Sequence, residues 1–243
     1  MSRRDAWTSA WVFAAAAAVR LVYLSEYAHS PLFRQPIVDA ATYDTMARAL
    51  AAGHAGPELF WQAPLYPVFL SVVYAVFGHS FLAARLVQAL LGSVTCVLVY
   101  LLARKIHGER AARIAAALAC FCGPLILYET ELVGAGLAAF WSVALTLLFL
   151  RAAEKPGAAR VLTLGACGAL SVLTRPEFLL FFAAAAIWLI GRIRPIRQIG
   201  LVAAAFAVIA LPFAAWNHSH TGSFSILPAS GGINLYIGNN PDE

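Results

Sequence analysis

The sequence predicts an all-α integral membrane fold of about seven transmembrane helices, with two more helices lying in the interface within the first outer loop. Three observations carry this. Of the 243 residues, 61% are hydrophobic and only 12% are charged, roughly half the charged share of a soluble domain. The mean hydropathy is +0.76. The charges that remain are sorted by sign between successive apolar runs. A water-soluble globule, a disordered tail and a coiled coil are excluded. The net charge of +5 gives no case for nucleic acid, because its position along the chain matters more than its sum.

The apolar runs are 7–24, 81–103, 111–128, 132–150, 161–173, 178–190 and 199–216. The first four and the last approach the roughly 20 residues that cross a bilayer core as helix. The fifth and sixth are shorter, about 20 Å at 1.5 Å per residue. With seven spans and the N-terminus inside, the cytoplasmic segments hold Arg3, Arg4, Arg104, Lys105, Arg110, Arg113, Arg151, Lys155, Arg160, Arg192, Arg194 and Arg197. Those are twelve of the 17 basic residues, the distribution expected of cytoplasmic loops. The outer side holds Glu26, Asp39, Asp44, Glu58, Glu129, Glu131, Glu177, Asp242 and Glu243. Counting the further run 64–77 as a span, or fusing 161–190 into one helix, would place basic loops outside. Arg3 and Arg4 before an alanine-rich stretch resemble a signal peptide, but the apolar run is long and Arg20 interrupts it, so it reads as a retained helix. Cys96, Cys120, Cys122 and Cys167 lie in apolar runs, which argues against a disulfide framework.

The outer segment 25–80 is too long for a plain connection. In it Asp39 precedes a helix at 40–52, where Tyr43, Met46, Ala47 and Leu50 recur at helical spacing and Gly53 ends the run. A second helix, 64–77, begins with Pro64 and stops at Gly78. Phe60, Trp61, Tyr66 and Tyr74 place it in the membrane interface. Two such helices over a bundle form the roof of a cavity. The second outer loop carries Glu129 and Glu131. The third, Thr174 to Glu177, joins the two shortest spans and is expected below the outer surface, where charge is costly and usually paired or functional. Residues 1–216 thus read as one transmembrane module, and 217–243 as the start of an outer segment.

These residues carry a resemblance. Val38-Asp39-Ala40-Ala41-Thr42-Tyr43, Gln62-Ala63-Pro64-Leu65-Tyr66-Pro67, Arg85-Leu86-Val87-Gln88-Ala89-Leu90-Leu91-Gly92, Tyr128-Glu129, Thr174-Arg175-Pro176-Glu177 and Gly231-Gly232-Ile233-Asn234-Leu235-Tyr236 follow one another in order. Together they resemble the protein mannosyltransferase-like, family 39 group of GT-C membrane glycosyltransferases, which includes the aminoarabinose transferase of lipid A. The resemblance implies a bacterial inner-membrane enzyme with its active site facing outward, and an outer segment, 217–243, that is cut short. It would move a sugar from a polyprenyl-phosphate donor to a lipid, glycan or protein acceptor, inverting the anomeric centre. Its partners would be those two substrates and membrane lipids, with no nucleic acid. It implies Asp39 as catalytic base and Glu129 as a second catalytic acid, with Glu131 a near rival. Two departures stand out: Gln62-Ala63 occupy a place where relatives often have a charged residue or His, and Trp216-Asn217 one where many have Arg-Asn.

Such a transfer needs a base for the acceptor's proton and cationic help for the leaving phosphate. Asp39 suits the first role, and also sits where a helix N-cap would. Arg175 suits the second, because a guanidinium grips phosphate oxygens with two donors; its alternative is an ion pair with Glu177 or Glu129. Arg85, Glu131 and Tyr43 complete the expected substrate-binding set. Arg20 and Arg85, near helix ends, would otherwise snorkel to water. The six histidines show no zinc-ligand spacing beyond a weak pair at His218 and His220, so no metal and no cofactor are expected. A transporter or flippase of lipid-linked sugars would explain the spans, but not the elaborate first outer segment, and it would call for inverted repeats that the sequence does not show.

Overall fold

The computed structural model describes residues 3–54, 56, 61–190 and 196–240. Glu58, Phe60, Arg192, Arg194, Asp242 and Glu243, used in the readings above, lie outside them. The described residues form helices and no strand. The helices are α1 (Arg3–Tyr27), α2 (Pro31–Arg34), α3 (Asp39–Ala51), α4 (Leu65–Phe77), α5 (Phe81–Cys120), α6 (Gly123–Thr130), α7 (Ala135–Glu154), α8 (Ala158–Thr174), α9 (Phe178–Ile190), α10 (Ile196–Thr221) and α11 (Gly231–Asn239). Four of them, α1, α5, α7 and α10, are long and apolar enough to cross a membrane; α4, α8 and α9 are shorter apolar helices.

Helix α5 covers two predicted spans and the basic loop between them. Gly108, at φ 82°, breaks it, a conformation that glycine adopts without a Cβ clash. Tyr100 packs with Ala112 and Ala116, and Cys96 with Ala119 and Cys120. These pairings mirror about Gly108, so the run is two antiparallel arms. The second arm was expected to continue through 128. It stops at Cys120 instead, and Pro124 in the first turn of α6 restarts the helix, because proline tolerates a first turn but not a helix interior.

One end of the bundle gathers three of the predicted cytoplasmic segments. Arg104 pairs with Asp5 and with Glu109, and Lys105 pairs with Glu154 at the end of α7. The start of α1, the bend of α5 and the end of α7 therefore lie side by side, as the charge pattern required.

At the opposite end α3 packs on α4, each within one residue of its predicted start. Ala40 and Ala47 of α3 join Tyr66, Leu70, Val73 and Tyr74 of α4 in a buried cluster with Leu132, Leu137, Trp141 and Ala144. The roof is therefore seated in the bundle through one face of α4. Asp44 clips it, accepting from the Tyr74 hydroxyl at 2.7 Å and pairing with His79 at 2.8 Å. Helix α8, three residues longer at its start than predicted, lies against α10. A Cβ on Gly165 would stand 2.2 Å from the Val202 carbonyl oxygen, so this crossing depends on a small residue, as helix contacts in lipid commonly do.

Candidate active site

A cavity of about 590 Å³ opens beneath α3. Asp39 and Tyr43 come to it from the first turns of α3, and Trp61, Gln62 and Ala63 from the approach to α4. Gly134 comes from the start of α7, Thr174 to Glu177 from the α8–α9 turn, and Pro228, Ser230 and Gly231 from the segment after α10. Asp39 and Tyr43 are four apart and so share a helix face.

Asp39 is exposed and opens α3 without capping it. The N-cap position is Val38, at φ 50° with no side-chain cap bond. A β-branched residue at positive φ is strained, and that turn aims the next side chain, Asp39, into the cavity. Its carboxylate accepts a hydrogen bond from Gln62 Nε2 at 2.9 Å. Gln62, noted above only as a departure, is thus the partner of the predicted base. Tyr43 stands between two opposite charges. Burial, the largest influence, pushes its phenol up to about 12; Asp39 pushes the same way and Arg175 opposes.

Arg175 ends α8, its amide donating to the Ser171 carbonyl at 2.9 Å. Its guanidinium is 3.8 Å from Glu177, with the two side chains 52% and 72% exposed. A pair so long and so wet is worth little, on the order of 1 kcal/mol or less. The guanidinium remains available. It also lines a second groove, of about 300 Å³, with Ser142, Thr146, Glu177, Phe178 and Phe181. On the other side of Trp61 and Pro228 lies a mainly apolar cavity of about 610 Å³, lined by Thr42, Met46, Asn217 and the turn after α10.

The remaining expected site residues do not line the main cavity. Glu129 is 2% exposed and Arg20 1%; Nε of Arg20 lies 2.5 Å from Glu129 Oε2, and Nη2 lies 3.2 Å from Oε1. Glu131 accepts from the Tyr27 hydroxyl at 2.5 Å. Arg85 is fully buried, donating to the carbonyls of Thr130 at 2.8 Å and Phe33 at 2.9 Å, with its guanidinium 4.3 Å from the Phe33 ring centroid. Neither arginine snorkels. Each turns inward: Arg20 meets an acid, and Arg85 meets two carbonyls and an aromatic face, although its Nη2 has no hydrogen-bond partner among the described residues.

Residues 61–216 match the sequence profile of the dolichyl-phosphate-mannose-protein mannosyltransferase family. The chain belongs to this family. It is a multi-pass membrane glycosyltransferase. No curated protein and no solved structure matches the chain. The family match begins at Trp61, so it takes in the cavity's Gln62, Gly134 and Thr174 to Glu177. Asp39 and Tyr43 lie before it, and Pro228 to Gly231 after it.

Within this family member, the last segment also reaches the cavity, a part that no local pattern in the sequence assigns to it. The Ser230 amide donates to the Trp61 carbonyl at 3.2 Å, which brings Pro228 and Gly231 onto the cavity. Asn217 holds the preceding turn, its amide donating to the Ser225 carbonyl at 2.8 Å and its oxygen accepting from the Thr221 hydroxyl at 2.8 Å. The signal for that turn in the sequence is the amide of Asn217, directly after an apolar run, where it can hold the residues that follow. Among the described residues no group of three or more His, Cys, Asp or Glu side chains is placed to hold a metal ion.

Proposed function

We propose that this glycosyltransferase moves a sugar from a polyprenyl-phosphate donor to an acceptor on the extracytoplasmic face, inverting the anomeric centre. The basic segments gathered at one end of the bundle would lie in the cytoplasm, with the N-terminus among them, and the cavity would face outward. The observation that carries this reading is the placement of Asp39 and Arg175 on one cavity, with Arg175 also on the groove beside it.

Arg175 would hold the donor phosphate at the junction, with two N–H donors on its oxygens. The prenyl chain would run along the groove past Phe178 and Phe181, and the sugar would enter the main cavity. The acceptor hydroxyl would approach Asp39 from the side of the larger, apolar cavity. Its oxygen attacks the anomeric carbon while Asp39 takes its proton; the bond from that carbon to the phosphate oxygen breaks, and its electron pair leaves on the phosphate beside Arg175. Gln62 would fix the rotamer of the base through the hydrogen bond to Asp39. Tyr43 would stay protonated and able to donate. Residues 1–216 supply most of the site, and 217–243 close it through Pro228, Ser230 and Gly231.

The test is Asp39→Asn in purified protein, supplied with polyprenyl-phosphate-linked sugars. Loss of a general base costs about 10²-fold or more, and because Asp39 caps nothing, folding should be unchanged. Wild-type transfer by the Asp39→Asn protein would rule out the base.

A further inference from the structure

Gln88 stands in the arginine-led motif of α5 and has no part in the transfer just described. It is 4% exposed, and both ends of its amide are engaged. Nε2 donates to two carbonyls, of Glu129 at 2.6 Å and of Glu131 at 2.8 Å. Oε1 accepts from the Tyr66 hydroxyl at 2.7 Å. One turn earlier on α5, Arg85 takes the carbonyl between them, that of Thr130. These carbonyls end α6 and lack downstream amides, so side chains of α5 supply the donors.

Both ends of the Gln88 amide lead to the cavity. Through Oε1 it holds Tyr66, whose buried ring meets Tyr43 edge-on with centroids 4.9 Å apart. Tyr43 lines the cavity one turn after Asp39. Through Nε2 it holds the strand of chain that leaves α6 and reaches Gly134, another lining residue. A Cβ on Gly134 would touch the Tyr66 side chain at 3.5 Å, so the two routes meet again. Only a primary amide offers two donors and an acceptor at this size. Glutamate lacks the donors, and methionine lacks both.

We infer that Gln88 is a positioning residue, whose single amide sets the separation of Tyr43 above and Gly134 beside the reacting groups. This rests on the reading of Asp39 as base in the same cavity. The amide acts on the roof through a hydroxyl and a ring contact, and on the α7 entry through two carbonyls. Loss of either link lets one wall drift while the helices stay packed by the apolar cluster around them.

The test uses the full chain in detergent with Gln88→Met, Tyr66→Phe and the double variant. Tyr66→Phe deletes only the hydroxyl and keeps the ring against Tyr43, so it folds even where Gln88→Met does not. Two readouts are taken. With polyprenyl-phosphate-linked mannose as donor, each single variant should lose about tenfold or more in kcat with little change in donor KM. The double variant should lose no more than the worse single one. Without any substrate, 3-fluorotyrosine placed at position 43 should give one sharp fluorine resonance in wild type and a shifted or broadened one in the variants. A purely structural role would lower Tm and folded yield while leaving kcat per folded molecule and the resonance unchanged, and that result overturns the proposal. Additive kcat losses, or an unmoved resonance, also overturn it. Failure of the base reading appears separately, as wild-type transfer by Asp39→Asn; the substrate-free resonance still decides the role of Gln88.

Discussion

The guanidinium of Arg20 in α1 meets the carboxylate of Glu129 in α6 by two contacts, 2.5 and 3.2 Å, with both side chains sealed from solvent. The contact spans 109 residues of chain. Gly92 of α5 makes room for it: a Cβ there would lie 2.1 Å from Glu129 Oε2. Gly136 passes the other flank, with a Cβ contact of 3.3 Å to Glu129 Cγ. The acid that family resemblance assigns to catalysis is thus held behind the cavity wall, where it ties the first helix to the end of the sixth.

Breaking a buried pair from one side leaves a charge with no partner. Arg20→Met should therefore cost about 3–5 kcal/mol of stability. Glu129→Gln in that background removes the stranded carboxylate and should recover a large part of it. Unfolding of the two single variants and the double variant in detergent gives the coupling. Transfer per folded molecule should stay near wild type, because Glu129 does not line the cavity. Additive losses would show that the two groups are not paired.

What could be read in the sequence, and what could not, divides along the range of the interaction. Helices α3 and α4 were legible to within a residue, because helical spacing and the stops at Gly53 and Gly78 are local. So was the basic bend of α5, although its agent, Gly108, was not named. Asp39, Tyr43 and Arg175 were expected to act together, and they share a cavity. The Arg20–Glu129 pair was not legible: an arginine near a helix end looks the same whether it reaches for water or for an acid. Gln62 was read as a missing charge, since nothing local says that its amide will face Asp39. The Gln88 amide joins three elements, and no periodicity reports such a node.

The side of the membrane on which the basic end lies can be read by labelling. His107→Cys in a cysteine-free background should react with a membrane-impermeant maleimide in inverted vesicles and stay unlabelled in intact cells. Labelling from outside would reverse the proposed orientation and turn the cavity to the cytoplasm.

Tyr43 gives a pH dependence whose sign follows from its surroundings. Burial, and then Asp39, push its phenol up to about 12 in the folded chain, against about 10 for an unfolded tyrosine. On raising the pH the unfolded state loses its proton first, so it binds fewer protons than the folded state between those values. Stability contributed by Tyr43 is therefore full below pH 10 and is lost as pH rises towards 12. The difference in unfolding free energy between wild type and Tyr43→Phe should be flat from pH 6 to 9 and fall above 10. A difference that stays level to pH 12 would show that the phenol is solvated.

Arg175 separates a substrate contact from a structural one. Pro176 follows it and prevents α8 from running on, so the side chain is held at the lip shared by the cavity and the groove. Its pair with Glu177 is long and exposed, and losing that pair should barely move the thermal midpoint. A donor phosphate would instead use the planar fork of the guanidinium, which lysine lacks. Arg175→Lys should therefore weaken binding of a polyprenyl-phosphate sugar by about 1–3 kcal/mol, roughly 5- to 150-fold in Kd, with Tm unchanged. Arg175→Lys in a Glu177→Gln background should show the same loss, since the acid contributes little to holding the arginine. Donor affinity equal to wild type, with a lowered Tm, would assign Arg175 to the turn and leave the phosphate to another cation.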